Sequence, residues 1–398
     1  MRDVTVAMVA LGGYGNSYLR HLFAEDAPEG FRLVAGIDPN PVGCRFLDRF
    51  EAEGIPIYPD LEAFYAAAAA DLVIIAAPIQ YHAPFTQTAL AHGSNVLCEK
   101  PLAATVAEAH AMAEAEAAAP GWVGIGYQWS FSATMQALKA DIMTGELGRP
   151  LRLRTKVLWP RPLSYYHRNT WAGRIAAPDG RPILDSPVNN ATAHYLHNSL
   201  YVLGSTRETS ARPVDVQAEL YRANAIENYD TAAVRVHTEG GAEILFYTAH
   251  PVDRNIGPEL IYEFEEATVS YASYGTSVVA HFRDGRVKDY GDPFADEFAK
   301  LWESIDAVRT GAPLACGIRA ATPHTICVNG AQRSPEAIVE FPPEVVERVS
   351  QGEEDTLIYV PGLGELLETC YDRGGLPSEL GDVSWAQPGR RVDLEEPA

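Results

Sequence analysis

The sequence predicts two parts: an α/β N-terminal domain built on a parallel sheet, followed by an α+β C-terminal domain with a large, mostly antiparallel, open-faced sheet. Two observations predict this. Before residue 130, short segments that are apolar throughout alternate with helical segments, as buried parallel strands do. After residue 150, the strand-like segments are longer and alternate apolar with polar residues, which is typical of antiparallel strands with one solvated face.

The first part reads as a regular alternation of strands and helices. The expected strands are Val4–Leu11, Phe31–Asp38, Asp71–Pro78, Asn95–Cys98 and Trp122–Gln128. The expected helices are Ser17–Phe23, Pro41–Glu53, Leu61–Ala70, His82–His92 and Thr105–Ala118. Because parallel strands are joined by right-handed crossovers, this order predicts a doubly wound Rossmann domain, which we place at residues 1–128.

The second part, residues 129–398, changes character after Gly148-Arg149-Pro150. The expected strands are Leu151–Trp159, Val214–Tyr221, Ala232–Thr238, Ala242–Ala249, Glu259–Phe264 and Thr268–Ser273. The expected helices are Pro187–Leu203 and Asp296–Thr310. Beyond Pro342 the chain is rich in Pro, Gly and acidic residues, so we expect a loosely structured tail on the surface.

Composition limits the classes of function. The 398 residues carry a formal charge of −22, which argues against binding to nucleic acid or to anionic membranes, because both are held by clustered Lys and Arg. The five cysteines are scattered and form no CxxC pair, which favours free thiols in a reducing cytoplasm. The apolar N-terminus is interrupted by Asp3 and ends in glycines, so we interpret it as a first strand and not as a signal peptide.

A glycine-rich turn follows the first expected strand. In Ala10-Leu11-Gly12-Gly13-Tyr14-Gly15-Asn16, residues Gly12 and Gly15 match the second and third glycines of the dinucleotide fingerprint, and Ala10 replaces the first. Gly12 lets the backbone approach a pyrophosphate, and Gly15 lets the helix pack on its strand. The anion is then held at the helix N-terminus. Glycine turns between a strand and a helix are common, so this turn alone is weak evidence.

Asp38 ends the second expected strand. A carboxylate at this position accepts hydrogen bonds from ribose hydroxyls and repels a 2′-phosphate, and Pro39 and Asn40 follow it instead of Arg or Lys. This favours NAD over NADP. The alternative is that Asp38-Pro39-Asn40 is only a turn and a helix cap.

Two further segments give the chain a resemblance to the glucose–fructose oxidoreductase/inositol dehydrogenase (Gfo/Idh/MocA) family. They are Ile74-Ile75-Ala76-Ala77-Pro78 with His82 behind it, and Val96-Leu97-Cys98-Glu99-Lys100-Pro101, which resembles the family's Glu-Lys-Pro motif. The later half matches more loosely, through Gly145–Pro150, the helix that ends at Gly204, and Glu227-Asn228-Tyr229-Asp230. The resemblance implies an NAD-dependent dehydrogenase or reductase acting on CH–OH groups. The implied cofactor-binding residues are Gly12, Gly13, Tyr14, Gly15, Asn16, Asp38, Ala77, Pro78, His82, Glu99, Lys100 and Gln128.

The resemblance also places Lys100 between the nicotinamide and the substrate. A lysine that follows an apolar strand at the ligand-binding edge of a sheet is partly desolvated, which lowers its pKa toward an acid/base range. The alternative is a lysine that only pairs with Glu99 or another carboxylate.

The family's catalytic helix carries Asp and His one turn apart, before a Leu-Gly end. Counted back from Gly204, these positions are Asn190 and His194, whose spacing puts both side chains on one helix face. His194 is suited to take a hydroxyl proton. Asn190 departs from the family because it cannot ionise; it can orient His194 or bind a sugar hydroxyl. Asp185 is a charge in the preceding loop.

Aromatic and histidine residues offer further candidates. We expect Trp129, Tyr166, His167 and Trp171 to bind substrate together with Lys100, Asn190 and His194, since aromatic rings with polar tips suit a sugar. An interface or core patch is an equal alternative for this aromatic loop. His194 and His197 lack a clear third ligand, so we predict no metal site.

Three classes of function remain open: a dehydrogenase of a sugar, cyclitol or sugar derivative; a redox-neutral NAD-dependent glycosidase or lyase; and a non-catalytic sugar sensor. Retention of Lys100 and His194 argues against the sensor. An open sheet face is usually covered, which predicts a homo-oligomer, a dimer or tetramer, in the cytoplasm.

Overall fold

The computed structural model describes residues 2–352, 355–380 and 383–394. The chain divides into two compact units. Unit 1 comprises residues 1–131 and 296–322, and unit 2 comprises residues 132–295 and 323–398. The predicted division differs in residues 296–322, which were assigned to the second domain but fold with unit 1.

Unit 1 is built on a six-stranded parallel sheet in the order β3-β2-β1-β4-β5-β6. Its strands are β1 (Val4–Val9), β2 (Phe31–Ile37), β3 (Ile57–Tyr58), β4 (Leu72–Ile75), β5 (Asn95–Cys98) and β6 (Val123–Ile125). β1 and β4 are neighbours, which is the switch point of a doubly wound sheet, where ligands bind outside the carboxyl ends of the strands. The predicted Rossmann fold is confirmed, and the short edge strand β3 was missed.

The helices of unit 1 cover both faces of this sheet. They are α1 (Gly15–Leu22), α2 (Leu47–Ala52), α3 (Leu61–Ala67), α4 (His82–Ala91), α5 (Val106–Ala118), α6 (Gln128–Phe131) and α10 (Ala299–Thr310). The start of α5 is set by a capping box, in which the Thr105 hydroxyl accepts from the Glu108 N–H and Glu108 accepts from the Thr105 N–H. Leu301 of α10 packs with Val6 and Leu97 of the sheet, so the segment 296–322 completes this core.

Unit 2 is built on a ten-stranded sheet, which confirms the predicted large, mostly antiparallel sheet. The main order is β14-β13-β12-β11-β7-β10-β9-β8-β15, and β18 also pairs with β8. Its strands are β7 (Pro150–Leu158), β8 (Pro213–Arg222), β9 (Thr231–Thr238), β10 (Glu243–Ala249), β11 (Ile256–Phe264), β12 (Ala267–Tyr271), β13 (Val278–Phe282), β14 (Val287–Gly291), β15 (Val339–Glu340) and β18 (Val392–Asp393). β7 is parallel to β10, and β15 is parallel to β8.

The helices of unit 2 are α7 (Ala133–Thr144), α8 (Leu163–His167), α9 (Ala193–Val202) and α12 (Leu363–Arg373). One π-helical turn, Pro187–Ala191, precedes α9, so the helix predicted from Pro187 to Leu203 is irregular in its first turn. The helix α11 (Ile318–Arg333) contains Pro323, where the division between the units falls. α9 packs on the sheet through Asn198, whose amide donates to the Tyr262 hydroxyl at 3.1 Å.

The C-terminal segment is more ordered than predicted, and it covers a face of the large sheet. A hairpin, β16 (Glu347–Ser350) with β17 (Thr356–Tyr359), leads into α12. Leu363 and Leu367 of α12 are buried against Leu245 and Tyr247 of β10. The prediction of a loose tail was therefore wrong, because apolar residues at helical spacing lie hidden among its acidic ones.

On this part of the sheet, α12 and the residues after it also make polar contacts with β10. The Tyr247 hydroxyl donates to the carbonyls of Cys370 and Gly375 at 3.0 Å, so α12 is tied to the sheet by polar contacts as well as apolar ones. The homo-oligomer was expected because an open sheet face is usually covered; α12 covers part of this sheet, and the oligomer stays a prediction. In the described part of the chain, no helix is long and apolar enough to cross a membrane.

Candidate active site

The parallel sheet of unit 1 brings the predicted cofactor-binding segments to one edge. The glycine loop follows β1, Asp38 follows β2, Ala77 and Pro78 follow β4, Glu99 and Lys100 follow β5, and Gln128 follows β6. Since all these strands run in the same direction, their carboxyl ends share an edge. The sequence motifs therefore converge in space.

The glycine loop has the backbone shape of the full fingerprint despite its alanine. Ala10 has φ +66°, a left-handed conformation that favours glycine. Gly15 begins α1, where an added Cβ would lie 2.0 Å from the Ala10 carbonyl oxygen, so only glycine fits. The side chain of Asn16 was expected to bind cofactor, but it holds the loop instead: its amide donates to the Gly43 carbonyl at 3.0 Å and its oxygen accepts from the Arg45 N–H at 2.7 Å.

Asp38 is joined to the glycine loop. Its Oδ2 accepts from the Leu11 N–H at 2.8 Å, and its Oδ1 accepts from the Asn40 N–H at 2.8 Å. The carboxylate therefore closes the turn at Asn40 and also lies beside the glycine loop, and its binding of ribose stays a prediction. These features fit a dinucleotide: a Cβ added to Gly13 would meet no atom within 4 Å, and a carboxylate of the kind that binds ribose lies next to the loop.

His82 connects two of the strand ends. Its Nδ1 lies 2.7 Å from the Pro101 carbonyl oxygen and its Nε2 lies 2.9 Å from the Ala77 carbonyl oxygen. Burial lowers the pKa of His82, against the opposing effect of these two carbonyls. His82 was expected to bind cofactor directly, but both ring nitrogens face backbone, so its side chain positions the segments that carry Ala77 and Lys100.

Glu99 is the centre of a buried polar cluster. Its Oε1 accepts from the Tyr18 hydroxyl at 2.7 Å and from the ammonium of Lys300, and its Oε2 accepts from the Lys100 N–H at 3.1 Å. The Lys300 side chain is 0% exposed. Burial raises the pKa of Glu99, but the charge and hydrogen bond of Lys300 outweigh it and leave that pKa below its ordinary value. Glu99 therefore acts within the protein interior, as a structural carboxylate.

The other predicted site residues of unit 1 differ in how much of their surface is exposed. Lys100 is half-buried, and the Lys100–Pro101 peptide bond is cis. Gln128 is half-buried and donates to Glu297 at 3.3 Å. Trp129 was predicted to bind substrate, but it is only 2% exposed. Tyr14 is 43% exposed, at the start of α1.

In unit 2, the Asn190 and His194 side chains are half-buried, one on the π-helical turn and one in α9. Asn190 donates from Nδ2 to Asp185 Oδ1 at 2.7 Å. Asp185 is 3% exposed, and its Oδ2 accepts from the Gly173 N–H at 2.6 Å. A carboxylate of the preceding loop therefore lies next to the amide at position 190.

His197 does not share the environment of His194. It is 1% exposed, and its ring lies 6.4 Å from that of His324, between centroids. Burial, followed by the charges of His324 and Lys139, lowers the pKa of His197 well below its ordinary value. His197 thus remains neutral in the interior of unit 2.

The aromatic loop divides between core and surface. Tyr166 is 8% exposed, His167 is exposed and Trp171 is half-buried. The Arg168 guanidinium lies 3.6 Å from the centroid of the Tyr165 ring and 5.3 Å from that of Trp171. Tyr166 and His167 line a cavity of about 590 Å³.

Lys300 and Tyr18, which hold the Glu99 carboxylate, were not predicted from the sequence. Lys300 is 201 positions from Glu99, and no local pattern connects them. One signal for a buried lysine was available: Lys300 falls on the same face of its helix as Leu301 and Ile305, whereas the charged residues Asp306 and Arg309 are exposed.

Comparison with known proteins agrees with this geometry. Residues 4–127 match the Gfo/Idh/MocA family model, described as an oxidoreductase family with an NAD-binding Rossmann fold, which confirms the resemblance over that segment. An inositol 2-dehydrogenase of Pseudomonas fluorescens is 32% identical over 153 residues, which are 38% of this chain and 45% of that protein. An inositol 2-dehydrogenase of Burkholderia multivorans is 29% identical over 200 residues, 50% of this chain and 54% of that protein. The matches thus span about half the length of these relatives.

Solved structures support the fold over a larger part of the chain. The WlbA dehydrogenase of Bordetella pertussis, solved with NADH and UDP-GlcNAcA, aligns with a TM-score of 0.67 at 21% identity and covers 83% of this chain and 97% of that one. An aldose-aldose oxidoreductase of Caulobacter crescentus, solved with glycerol, aligns with a TM-score of 0.66 at 21% identity and covers 83% and 98%.

Proposed function

Because residues 4–127 carry the NAD-binding Rossmann fold of the Gfo/Idh/MocA oxidoreductase family, we propose that this chain is an NAD-dependent oxidoreductase. Its substrate is a secondary alcohol of a sugar, cyclitol or sugar derivative. The observation that carries the proposal is the convergence of the glycine loop, Asp38 and Glu99-Lys100-Pro101 at one edge of the unit 1 sheet. Two inositol 2-dehydrogenases, each matched over about half of its length, support this class of substrate.

Bound NAD supplies the hydride acceptor when the alcohol is oxidised. The hydroxyl proton must leave the same C–OH group for a carbonyl to form, so the enzyme needs a base. We assign proton transfer to Lys100 of unit 1 and His194 of unit 2. Both side chains are half-buried, so each remains accessible and is still partly desolvated.

Asn190 has a different task from the aspartate it replaces. Its Nδ2 donates to Asp185, and its Oδ1 is of the kind that accepts a hydrogen bond from His194 or from a substrate hydroxyl. Asp185 in turn is held by the Gly173 N–H. We therefore assign Asn190 to positioning and Asp185 to orienting its amide.

Asp38 selects the cofactor. Its attachment to the Leu11 N–H holds a negative charge beside the glycine loop, which favours ribose hydroxyls over a 2′-phosphate. The variant Asp38→Ala is expected to lower the preference for NAD over NADP, measured as the ratio of the two kcat/KM values. A ratio equal to that of the wild type contradicts this assignment.

Turnover tests the main proposal. We expect NAD reduction, followed by absorbance, with at least one member of a panel of myo-inositol, other cyclitols and neutral sugars. Lys100→Ala and His194→Ala should each lower kcat by about 10²–10⁴-fold, the usual contribution of a general acid or base. NAD affinity in the His194→Ala variant, measured by fluorescence titration, should stay unchanged.

Matched controls are available on the surface. Lys288 and His281 are exposed in unit 2, and their alanine variants should leave turnover unchanged. Full turnover in Lys100→Ala and His194→Ala would show that the catalytic assignment is wrong. A product formed without net NADH would instead point to a redox-neutral reaction.

A further inference from the structure

Arg161 and Arg168 of unit 2 differ from the other arginines around them. Seven arginines lie between residues 149 and 181, and five of them form ion pairs with Asp or Glu. In the parts of the chain that the structure describes, neither Arg161 nor Arg168 forms an ion pair; they donate to the carbonyls of Pro160, at 3.5 Å, and Tyr165. Because the chain has 53 acidic and only 31 basic residues, this difference is not due to a shortage of carboxylates.

Aromatic rings hold both guanidinium groups in place. The guanidinium carbon of Arg168 lies 3.6 Å from the centroid of the Tyr165 ring and 5.3 Å from that of Trp171. The guanidinium carbon of Arg161 lies 5.1 Å from the same Tyr165 ring and 5.6 Å from the Trp159 ring. Arg168 is exposed and Arg161 is half-buried, and a guanidinium that rests on an aromatic face can still donate from its terminal N–H groups. Since both contact Tyr165, the two groups are close enough to bind one anion together.

The two arginines and the residues of unit 2 assigned to the reaction lie at the same end of the large sheet. Arg161 comes shortly after the end of β7, which runs parallel to β10. Thr192, which lies between Asn190 and His194 in the chain, donates to the Thr248 hydroxyl near the end of β10 at 3.1 Å. Since neighbouring parallel strands end at the same edge of a sheet, the arginines and His194 share this edge.

Aromatic contacts also connect the arginines with His194. The Trp159 ring, which contacts Arg161, lies 5.8 Å from the Tyr195 ring, between centroids. Tyr195 follows His194 in α9, and the centroids of their rings lie 6.3 Å apart. A substrate bound at one end by the arginines can therefore present a hydroxyl to His194.

The carboxylates of this region accept hydrogen bonds from neutral donors. Asp185 accepts from a side-chain amide and a backbone N–H, as described above. Asp230 accepts from two backbone N–H groups at 3.0 and 2.8 Å, and Asp355 accepts from the N–H of residue 164 at 3.1 Å and from its hydroxyl. Burial, followed by the charge of Arg161, lowers the pKa of His250 to about 3, so this neighbouring histidine stays neutral. The positive charge of the two arginines is therefore available to a ligand.

We propose that Arg161 and Arg168 bind an anionic group of the substrate, a carboxylate or a phosphate, and hold its reacting hydroxyl at His194. The guanidinium group matches both anions, because each offers two oxygens to its paired N–H groups. The substrate is then an acidic sugar or cyclitol derivative, and neutral sugars bind less tightly. Aromatic contacts alone do not explain why these two arginines, unlike five neighbours, form no ion pair within the described residues. The anion site stands on these contacts, and only its role in substrate binding rests on the proposed function.

Direct binding tests the proposal without turnover. We would titrate the full chain with NADH, which cannot accept a hydride from an alcohol, by isothermal calorimetry. The ligands are matched pairs: glucose with glucuronate, glucose with glucose 6-phosphate, and myo-inositol with myo-inositol 1-phosphate. In the wild type, the acidic member of at least one pair should bind about tenfold more tightly or better, as expected for a hydrogen bond to a charged group. Preference for glucuronate identifies a carboxylate, and preference for the phosphorylated compounds identifies a phosphate.

Variants separate the arginine pair from the general charge of the chain. Arg161→Gln and Arg168→Gln should each bring the ratio of acidic to neutral affinity close to one and leave the affinity for the neutral member unchanged. Arg161→Lys keeps the charge at the half-buried position and should retain part of the preference. Arg286→Gln is the matched control, because Arg286 is exposed and pairs with Glu146 and Asp284. Its affinity ratio should equal that of the wild type.

Equal binding of the acidic and neutral members by the wild type contradicts the proposal. So does an unchanged ratio in both glutamine variants, or a failure of every acidic compound to bind. Failure of the proposed function gives a different result: the acidic ligand binds in an arginine-dependent way, but NAD is not reduced with any compound. Conversely, NAD reduction with neutral sugars at an equal kcat/KM for their acidic counterparts supports the oxidoreductase and overturns the anion site.

Discussion

Glu99 in unit 1 and Asp185 in unit 2 are both buried carboxylates, each next to a residue proposed to take part in the reaction, but they are held in different ways. Glu99 accepts from an ammonium group, that of Lys300, and from the Tyr18 hydroxyl. Asp185 accepts from two amide N–H groups, those of Asn190 and Gly173. Glu99 thus has a full positive charge within hydrogen-bonding distance in addition to the Lys100 N–H, whereas the hydrogen bonds described for Asp185 come from amides.

This difference predicts what each carboxylate can tolerate. A buried ion pair is costly to break, because the remaining charge has no water to solvate it. An amide that donates to a carboxylate can be exchanged with it, since Asn and Asp have the same shape and their roles as donor and acceptor can be reversed. We therefore expect the Glu99 cluster to respond mainly in stability and the Asp185–Asn190 pair mainly in activity.

The largest expected effect is the loss of Lys300. Lys300→Met keeps the length of the side chain and leaves the Glu99 carboxylate buried without its ammonium partner, so the free energy of unfolding should fall by about 3–5 kcal/mol. Chemical denaturation monitored by circular dichroism measures it. The double variant Glu99→Gln/Lys300→Met removes both charges and should recover most of the loss. If the free energy of unfolding of Lys300→Met lies within about 1 kcal/mol of the wild-type value, the Glu99–Lys300 ion pair contributes no more than a surface pair does.

The contrast between the units also explains which parts of the site the sequence revealed. In unit 1 the functional residues lie in short contiguous motifs placed directly after strands, and the parallel sheet is enough to bring them together. Lys300 was not predicted because it reaches Glu99 from a helix 201 positions away. Asp185 was named only as a nearby charge; its bond to Asn190 depends on the π-helical turn, which has no sequence signature of its own.

The fold of unit 2 was predicted less completely for a related reason. Alternation identified the strands β7 to β12, and β14 was missed because it is largely exposed and carries little apolar signal. β13 was also missed, although Val278, Ala280 and Phe282 alternate as buried residues along it. The C-terminal segment was misjudged from composition, although Leu363, Leu367 and Cys370 share one face of α12. The average polarity of a segment does not show whether it packs, because a helix with a single apolar face can bind to a sheet.

The second-largest effect is expected from changing the Asp185–Asn190 pair in unit 2. Asn190→Asp places two carboxylates in contact, so at neutral pH repulsion replaces the amide hydrogen bond to a charged group, worth roughly 1.5–3 kcal/mol, and kcat/KM should fall by about 10–100-fold. Asp185→Asn/Asn190→Asp restores one donor and one acceptor and should recover part of the activity. Steady-state kinetics measure both variants. If the double variant is no better than Asn190→Asp, the two side chains do not act as a pair.

A smaller effect on stability is expected when the neutral hydrogen-bond donor to Glu99 is removed. Tyr18→Phe removes the hydroxyl that lies 2.7 Å from Oε1 but leaves Lys300 in place, so stability should fall by about 1.5 kcal/mol, clearly less than in Lys300→Met. The same denaturation experiment measures it. Equal losses in the two variants would mean that the ammonium contributes no more than a hydroxyl, and the distinction between the two carboxylates would be lost.

The smallest expected effect is a dependence on pH, and it tests the charge of Glu99 itself. The pKa of Glu99 in the folded protein lies below its ordinary value, because Lys300 outweighs the effect of burial. A carboxylate of this kind stabilises the fold above its unfolded pKa of about 4.3, and the contribution is lost as the pH falls through the folded pKa. Wild type should therefore lose stability on acidification faster than Glu99→Gln/Lys300→Met, which has neither charge. Parallel loss in both proteins, in denaturation curves between neutral pH and about pH 3, would show that Glu99 is not ionised against Lys300, and its cluster would then resemble the amide-held Asp185.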